Sequence, residues 1–211
     1  MKTRLVGDIH GNFKKYKHLL EGATASIQVG DFGIGFSHYY WHKQVNRFHH
    51  NSQHRFIRGN HDNPAKCREM CGWIYDGTVE DHTMYIGGAW SIDHQLRTEG
   101  VDWWSEEELS IAELDRLIDT YTYTKPRVMI THDAPEEVTF NMFISKGLGL
   151  GNRQIKTRTG QALQTMFEMH QPEFWFFGHW HHTKQSDIKG THFHCLGELD
   201  FVDFDLERCA Y

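Results

Sequence analysis

The sequence contains few cysteines, and their spacing fits neither a disulfide framework nor a thiolate metal site. Four occur among 211 residues, too few to cross-link a chain of this length. Cys67 and Cys71 have the close spacing of half a zinc site, but Cys195 and Cys209 are too far apart to supply the other half. We therefore expect reduced thiols, no structural zinc ion and no disulfide-linked partner.

Long apolar segments and an excess of positive charge are also missing. No run approaches the ~20 apolar residues of a membrane-spanning helix. Because the N-terminal residues lead directly into a motif at Gly7, we expect no signal peptide. The formal net charge is −6, which argues against the basic surface that binds duplex nucleic acid. We expect a cytoplasmic protein that makes no contact with a membrane.

The residues that are present suit one globular domain spanning 1–211. Apolar residues make up 39% of the chain and aromatic residues 14%, enough for a substantial core in a chain of this size. No internal repeat or low-complexity linker divides the sequence. Histidine is abundant, with 17 residues. Since histidine is the most frequent metal ligand among side chains, the positions of these histidines are the first guide to function.

Apolar strands alternate with amphipathic helices in the first part of the chain. Short apolar runs at 3–7, 25–29 and 54–58 predict strands, and helical spacing of apolar residues predicts helices at about 12–21 and 37–50. Further strands are predicted at 82–87, 127–131, 173–177, 191–196 and 200–205, and helices at about 105–119 and 160–170. The early alternation is typical of parallel strands in an α/β fold.

Polar side chains follow the carboxyl ends of these predicted strands. They are Asp8, His10, Asp31, Asn60, His61, His132, His179 and His181. Ligands of open α/β sheets bind at this edge, so we expect the side chains to meet in one site. The available ligand atoms belong to carboxylates, imidazoles and an amide. This set of ligands suits divalent ions such as Mn, Fe, Zn or Ni. It matches neither the thiolate ligands of a zinc finger nor the all-oxygen ligands of a calcium site.

Two pairs of these residues are separated by a single residue, Asp8-x-His10 and His179-x-His181. Alternate side chains of an extended segment point to the same side, so both members of each pair can face one metal site. Two ions ~3.5–4 Å apart can lower the pKa of a water between them and hold phosphoryl oxygens. Asp31 is the natural bridge, because a carboxylate can bind two cations and a single imidazole nitrogen cannot.

Five motifs in order resemble those of the calcineurin-like metallophosphoesterases. They are Gly7-Asp8-Ile9-His10-Gly11-Asn12, Gly30-Asp31, Gly59-Asn60-His61-Asp62, His132 after a strand, and Gly178-His179-Trp180-His181. They span residues 7–181, and their shared order is far more specific than any one of them alone. The resemblance implies a four-layer α/β/β/α sandwich, in which two mixed sheets pack face to face with helices outside.

The resemblance also implies a role for each candidate residue. The first metal would be held by Asp8, His10, His181 and Asp31, and the second by Asp31, Asn60, His132 and His179. His61 would lie beside the ions, where it could protonate the leaving oxygen or stabilise charge on the phosphoryl group. The expected reaction is hydrolysis of a phosphodiester or phosphomonoester by hydroxide activated by two divalent ions, with manganese as the first choice. A nucleotide or a nucleic acid end is among the expected substrates.

One departure from the resemblance concerns the segment after Asp31. Protein serine/threonine phosphatases and diadenosine tetraphosphatases of the superfamily continue this motif to an Asp or Asn followed by Arg-Gly, whereas this chain reads Gly30-Asp31-Phe32-Gly33-Ile34-Gly35. The arginine that would contact phosphate and the acid that would orient the catalytic histidine are missing. A protein phosphatase is therefore the second hypothesis. A non-catalytic metal-binding scaffold is the third, and the complete ligand set argues against it.

Two segments outside the ligands are candidates for substrate contacts. Residues 88–104 combine paired glycines with tryptophans and Arg97, which suits either a lip over the metals or packing against the following helix. Residues 141–158 are rich in glycine and basic residues, which suits either a flap for an anionic substrate or a solvated loop. We expect Arg58, just before Gly59, to form a surface salt bridge rather than to contact phosphate.

Overall fold

The computed structural model describes residues 2–36, 42–50, 52–148 and 156–206. The strands in these ranges are β1 Thr3–Val6, β2 Ser26–Gln28, β3 His54–Phe56, β4 Val79–Glu80, β5 Thr83–Ile86, β6 Val128–Thr131, β7 Phe174–Phe177, β8 Lys184–Ile188, β9 Thr191–Cys195 and β10 Phe201–Phe204. The α-helices are α1 Phe13–Leu19, α2 His42–His49, α3 Pro64–Cys67, α4 Ile111–Thr124, α5 Glu136–Met142 and α6 Arg158–Met169. Short 3₁₀ helices occupy His94–Leu96 and Ile144–Lys146.

The strands form two mixed sheets. The first has the order β10–β1–β2–β3, and its pairing is parallel except at the antiparallel edge strand β10. The second has the order β4–β5–β6–β7–β9–β8, in which the central strands are parallel and both edge strands are antiparallel. In each sheet the parallel strands direct their carboxyl ends to one edge, where ligands of such sheets bind.

The apolar core lies between the sheets and between each sheet and its helices. Leu5 and Ile27 of the first sheet pack against Val128 and Phe176 of the second. Val6, the neighbour of Leu5, points the other way and packs with α1 and α2, as strand alternation requires. The outer face of the second sheet packs against α4, α5 and α6. The predicted four-layer α/β/β/α sandwich with two mixed sheets is confirmed.

The helix predicted at 105–119 is wrong in its start, because α4 begins only after Ser110. Ser110 and Glu113 form the capping box: the Ser110 N–H donates to Glu113 Oε2 (2.9 Å) and the Glu113 N–H donates to Ser110 Oγ (3.3 Å). Glu108, which lies within the predicted helix but before the observed one, is buried and accepts a hydrogen bond from the Thr159 N–H (2.8 Å) at the start of α6. The segment before Ser110 is therefore engaged in a tertiary contact and lies outside the helix.

The other predicted elements agree with the observed ones to within a few residues where the structure describes them. The helix predicted at 37–50 is seen as α2, and residues 37–41 lie outside the described ranges. Strands β4 and β8 and helices α3 and α5 were not predicted. The described cysteines, Cys67, Cys71 and Cys195, are free. No helix in the described part of the chain combines the length and the apolar character needed to cross a bilayer.

Candidate metal centre

The predicted ligand residues meet at the carboxyl ends of strands from both sheets. Asp8, Asp31 and Asn60 follow β1, β2 and β3 of the first sheet, while His132 and His179 follow β6 and β7 of the second. Asp8 and His132 are fully buried, and Asp31 and Asn60 are 1% and 2% exposed. Polar and charged groups are costly to bury unless partners satisfy them, so the contacts among these residues define the site.

The more exposed part of the site, the open side, consists of Asp8, His10 and His181 together with Asp31. One ligand atom from each of these residues lies within 4.8 Å of the others. The Nε2 atoms of His10 and His181 are 3.0 Å apart, and His181 Nε2 lies 3.2 Å from Asp8 Oδ2. The side chains of His10 and His181 are 28% and 48% exposed. Two imidazole nitrogens and two carboxylates that converge in this way fit a divalent cation.

Four of the seven predicted ligand positions adopt left-handed backbone conformations. The φ angle is 43° at His10, 58° at Asp31, 64° at His179 and 51° at His181. Residues other than glycine rarely adopt this region, which costs roughly 1–3 kcal/mol for each, and such strain is concentrated at functional sites. The paired residues therefore reach the site through tight turns. The extended geometry predicted for the pairs is wrong, although the residues do come together.

The buried part of the site, the closed side, consists of Asn60 and His132, again with Asp31. His132 Nε2 lies 3.0 Å from Asn60 Oδ1 and 3.3 Å from Asp31 Oδ1. The Nδ1–H of His132 donates to the Val29 carbonyl (2.9 Å), which turns Nε2 towards the site, as in metal-binding histidines. Burial opposes protonation of His132, but the Asp31 carboxylate outweighs burial and raises the pKa of His132 to about 10. The protein thus favours a positive charge beside Asp31.

Asp31 lies between the open and closed sides. Its Oδ1 accepts a hydrogen bond from the His61 N–H (2.7 Å). Its Oδ2 is buried without a hydrogen-bond partner among the described residues and lies 3.9 Å from His10 Nε2. A buried carboxylate oxygen without a partner is unfavourable, and a cation beside it would remove that penalty. This oxygen is the strongest sign that the donor set fits a metal.

His179 and His61 lie next to these groups but outside the open-side cluster. The His179 ring centroid is 5.2 Å from that of His132, and the His179 N–H donates to Asp8 Oδ2 (3.2 Å). The His61 ring centroid is 5.5 Å from that of His10. Burial lowers the pKa of His61, and Asp31 acts in the opposite direction. The assignment of His179 as a ligand and of His61 as the catalytic group stays a prediction.

Asp62 has a role that the motifs did not reveal. Its buried carboxylate accepts hydrogen bonds of 2.6–3.0 Å from the backbone N–H groups of Phe32, Gly33, Ile34 and Gly59. It therefore joins the loop after β2 to the loop after β3 and fixes the spacing of two loops that carry ligands. The loop after β2, which lacks the Arg-Gly continuation, thus surrounds the Asp62 carboxylate with its N–H groups. The glycines of this loop were the feature of the sequence that could have indicated this role.

Residues 88–108, which we call the lip segment, include the candidate segment 88–104 and border the closed side. The Asn60 Nδ2 donates to Ser91 Oγ in this segment (2.9 Å). The ring centroid of Phe36 lies 6.4 Å from that of His61 and 5.4 Å from that of a tryptophan in the lip segment. The lip segment therefore contacts the candidate site. The alternative prediction was that it only packs against the following helix.

Two other sequence candidates are also located. The salt bridge expected for Arg58 is present, since its Nε donates to Asp76 Oδ2 (2.8 Å). Its expected surface position is wrong, because Arg58 is 2% exposed. Of the predicted flap at 141–158, residues 149–155 lie outside the described ranges, so that the flap stays a prediction.

Comparison with known proteins identifies the family of the chain. Residues 1–183 match the family model of the calcineurin-like phosphoesterases. A comparison with curated proteins finds no match.

Solved structures show the same fold. A candidate 5′-nucleotidase from Staphylococcus aureus is similar with a TM-score of 0.55 and 13% identity, and the likeness covers 94% of this chain and 49% of that one. A phosphopantetheinyl hydrolase from Mycobacterium tuberculosis has a TM-score of 0.50 and 13% identity, with 94% and 90% covered. The chain thus spans about half the length of the first structure. Because the family model covers most of the sequence, the chain belongs to the calcineurin-like phosphoesterase family, whose members depend on two metal ions.

Proposed function

We propose that the protein hydrolyses phosphate esters at a centre of two divalent metal ions bridged by Asp31. The observation that carries the proposal is the Asp31 carboxylate, which is buried between the open and closed sides with one oxygen lacking a partner. Membership in the calcineurin-like phosphoesterase family supplies the class of reaction. Two such ions, when bound, lower the pKa of water and stabilise charge on phosphoryl oxygens.

Each ion is assigned its own ligands, with Asp31 shared between them. The first is assigned to Asp8, His10, His181 and Asp31, and the second to Asp31, Asn60, His132 and His179. The convergence of the open-side atoms within 4.8 Å supports the first assignment. The orientation of His132 by a backbone carbonyl supports the second. His179 has the weakest support, because its ring lies beside His132 and outside the cluster.

His61 is assigned the role of the catalytic group that acts on the leaving oxygen or the phosphoryl group. Its backbone N–H is bonded to Asp31, which fixes the position of His61 relative to the bridging carboxylate. Its ring lies beside His10 on the open side, where substrate can enter. From this position the imidazole can donate a proton to the leaving oxygen or a hydrogen bond to the charge that develops on the phosphoryl group.

Arg97 of the lip segment is the proposed contact for the substrate phosphate. Asp93 binds its Nε and Nη2 at 2.8 and 2.7 Å, and Nη1 donates to the Asp102 carbonyl (3.3 Å). These contacts leave one N–H on each Nη for a further acceptor. Burial lowers the pKa of His61, and the charge of Arg97 lowers it further. The pKa of Arg97 is raised mainly by its hydrogen bond to Asp93 and also by the charge of Asp31. Arg97 would thus replace the phosphate-binding arginine missing from the loop after Asp31.

The finer features of the activity are also proposals. The substrate is a phosphodiester or phosphomonoester, with a nucleotide or nucleic acid end as candidates. Manganese is the proposed metal, the cytoplasm the proposed location, and residues 1–211 a single domain. A protein phosphatase is less well supported, because the loop that would carry its phosphate-binding arginine lacks this residue and donates its N–H groups to Asp62.

The proposal is tested by the hydrolysis of a chromogenic phosphodiester and the matching phosphomonoester by metal-stripped protein. Mn²⁺, Ni²⁺, Zn²⁺ and Mg²⁺ are added in turn. We expect cleavage that depends on the metal, and the ratio of the two rates identifies the preferred type of ester. A folded protein that binds two ions and cleaves neither ester with any of them would favour the non-catalytic scaffold.

A further inference from the structure

The orientation of the Asn60 amide decides whether this residue can bind a metal. Only Oδ1 of the amide is a metal ligand, whereas Nδ2 carries hydrogens and repels a cation. Asn60 is 2% exposed, so water does not set its orientation. Its Oδ1 faces His132 Nε2 at 3.0 Å and its Nδ2 donates to Ser91 Oγ at 2.9 Å. The partner of Nδ2 therefore controls the direction of Oδ1.

The hydroxyl of Ser91 is itself directed by Glu107. Ser91 Oγ donates to Glu107 Oε2 (2.5 Å), and the Ser91 N–H donates to Glu107 Oε1 (2.8 Å). Both residues are 2% exposed. The Asn60 Nδ2 group can only donate a hydrogen bond, so Ser91 Oγ accepts from Asn60 and the single proton of its hydroxyl points to Glu107. We call this chain of hydrogen bonds, which runs from Asn60 through Ser91 to Glu107, the relay.

Arg58 binds both ends of the lip segment. The Gly88 N–H donates to the Arg58 carbonyl (2.9 Å), and Arg58 Nη1 donates to the Glu107 carbonyl (2.8 Å). The side chain of Arg58 is in turn fixed by Asp76 (2.8 Å). Arg58 precedes Asn60 by two positions. The two ends of the lip segment are therefore attached to the loop that carries the metal ligand.

We propose that Ser91 and Glu107 are positioning residues that hold the Asn60 amide oxygen towards the second metal ion and set the affinity for that ion. The inference rests on the proposed two-metal function and adds a determinant of it outside the ligand set. Partners of metal ligands commonly change metal affinity by about 10–100-fold when they are removed. Removing this relay should therefore weaken one ion selectively.

The test is calorimetric titration of metal-stripped protein with Mn²⁺, comparing the wild type with Ser91→Ala and Glu107→Gln. Ser91→Ala removes the acceptor for Asn60. Glu107→Gln keeps the shape of the side chain but lets the hydroxyl of Ser91 point either way. We expect one of the two ions to bind about 10–100-fold more weakly in both variants, while the other ion binds as in the wild type. Glu108→Gln is the matched control, since this buried neighbour bonds to Thr159.

Wild-type affinity for both ions in the two variants would overturn the inference. So would an equal loss of both ions in a protein whose thermal unfolding is unchanged, because the relay reaches only the closed side. Binding of two ions by the wild type is measured first in the same titration. A wild type that binds fewer than two ions contradicts the proposed function itself, and the two failures are thereby distinguished.

Discussion

The open and closed sides of the site are built in different ways. On the open side, His10 and His181 are partly exposed and are placed by left-handed turns. On the closed side, Asn60 and His132 are buried, and each is oriented by a further partner, a hydroxyl and a backbone carbonyl. The side chains of the closed side are thus fixed by hydrogen bonds of the protein itself, whereas the more exposed open side is where we propose that ions and substrate enter.

Replacing Asp31 should have the largest effect, because it removes a proposed ligand of both ions. In Asp31→Ala we expect both ions to be lost and hydrolysis to fall to background, as measured by metal analysis and phosphodiester turnover. Asp115→Ala, an exposed carboxylate on α4, is the control and should behave as the wild type. An Asp31→Ala protein that retains two ions would mean that the two sides are independent.

Replacing a ligand of the open side alone should separate the two sides. We expect His10→Ala to lose one ion, keep the other and lose most of its turnover, because two ions are needed to activate water and hold the phosphoryl oxygens. Metal content by mass spectrometry gives the stoichiometry, and His18→Ala, an exposed histidine on α1, is the control. Loss of both ions in His10→Ala would contradict a closed side organised by its own partners.

His61 should affect turnover without affecting either side. General acid catalysis contributes about 10²–10⁴-fold to rates, so we expect His61→Ala to lower kcat by that range while two ions remain bound. The kinetics are measured with saturating Mn²⁺, and metal analysis accompanies them. A His61→Ala protein that loses metal would assign His61 to the ligands.

Arg97 should act on substrate binding more than on chemistry. A hydrogen bond to a charged group is worth about 1.5–3 kcal/mol, so we expect Arg97→Ala to raise KM by about 10–100-fold with metal content unchanged. Arg97→Lys keeps the charge but not the fork, and we expect it to recover part of the loss. An unchanged KM in Arg97→Ala would show that the lip segment does not contact the substrate.

A histidine outside the site shows what burial does without a carboxylate. His49, 3% exposed among aromatic rings, has its pKa lowered by burial to about 4, the opposite of His132. Because the pKa of His49 is lower in the folded than in the unfolded protein, the unfolded protein takes up this proton first as the pH falls. The contribution of His49 to the free energy of unfolding is therefore complete above pH ~6.5 and is lost as the pH falls towards 4. We expect the loss to reach about 3 kcal/mol.

The measurement for His49 is urea unfolding of metal-free protein between pH 7 and 4. His49→Phe should lose less stability over this range than the wild type, and His18→Gln, which changes an exposed histidine, should follow the wild type. Identical pH dependence in the wild type and His49→Phe would show that His49 is protonated without penalty.

The motifs predicted the convergence of the candidate site, because residues at the carboxyl ends of parallel strands must share an edge. Asp8, Asp31 and Asn60 of the first sheet are together for this reason, and His132 joins them from the carboxyl end of β6 in the second sheet. The four-layer architecture followed from the family resemblance that the motifs carried. Neither required knowledge of side-chain contacts, which is why a single sequence was enough.

The supports of the site were not predictable, because they depend on contacts between distant residues. The carboxylate of Asp62 reaches N–H groups about thirty positions away, such as that of Phe32. Glu107 is engaged by Ser91 and Glu108 by Thr159, and these contacts also move the start of α4. Alternation along the sequence records which face a side chain occupies, but it does not record which loop that side chain will meet.

The central claim is that two ions share Asp31, and the most direct measurement is a crystal structure of the Mn²⁺-loaded protein with anomalous scattering. We predict two peaks, one near Asp8, His10 and His181 and the other near Asn60, His132 and His179, with Asp31 in contact with both. A single peak, or two peaks of which only one touches Asp31, would contradict the account.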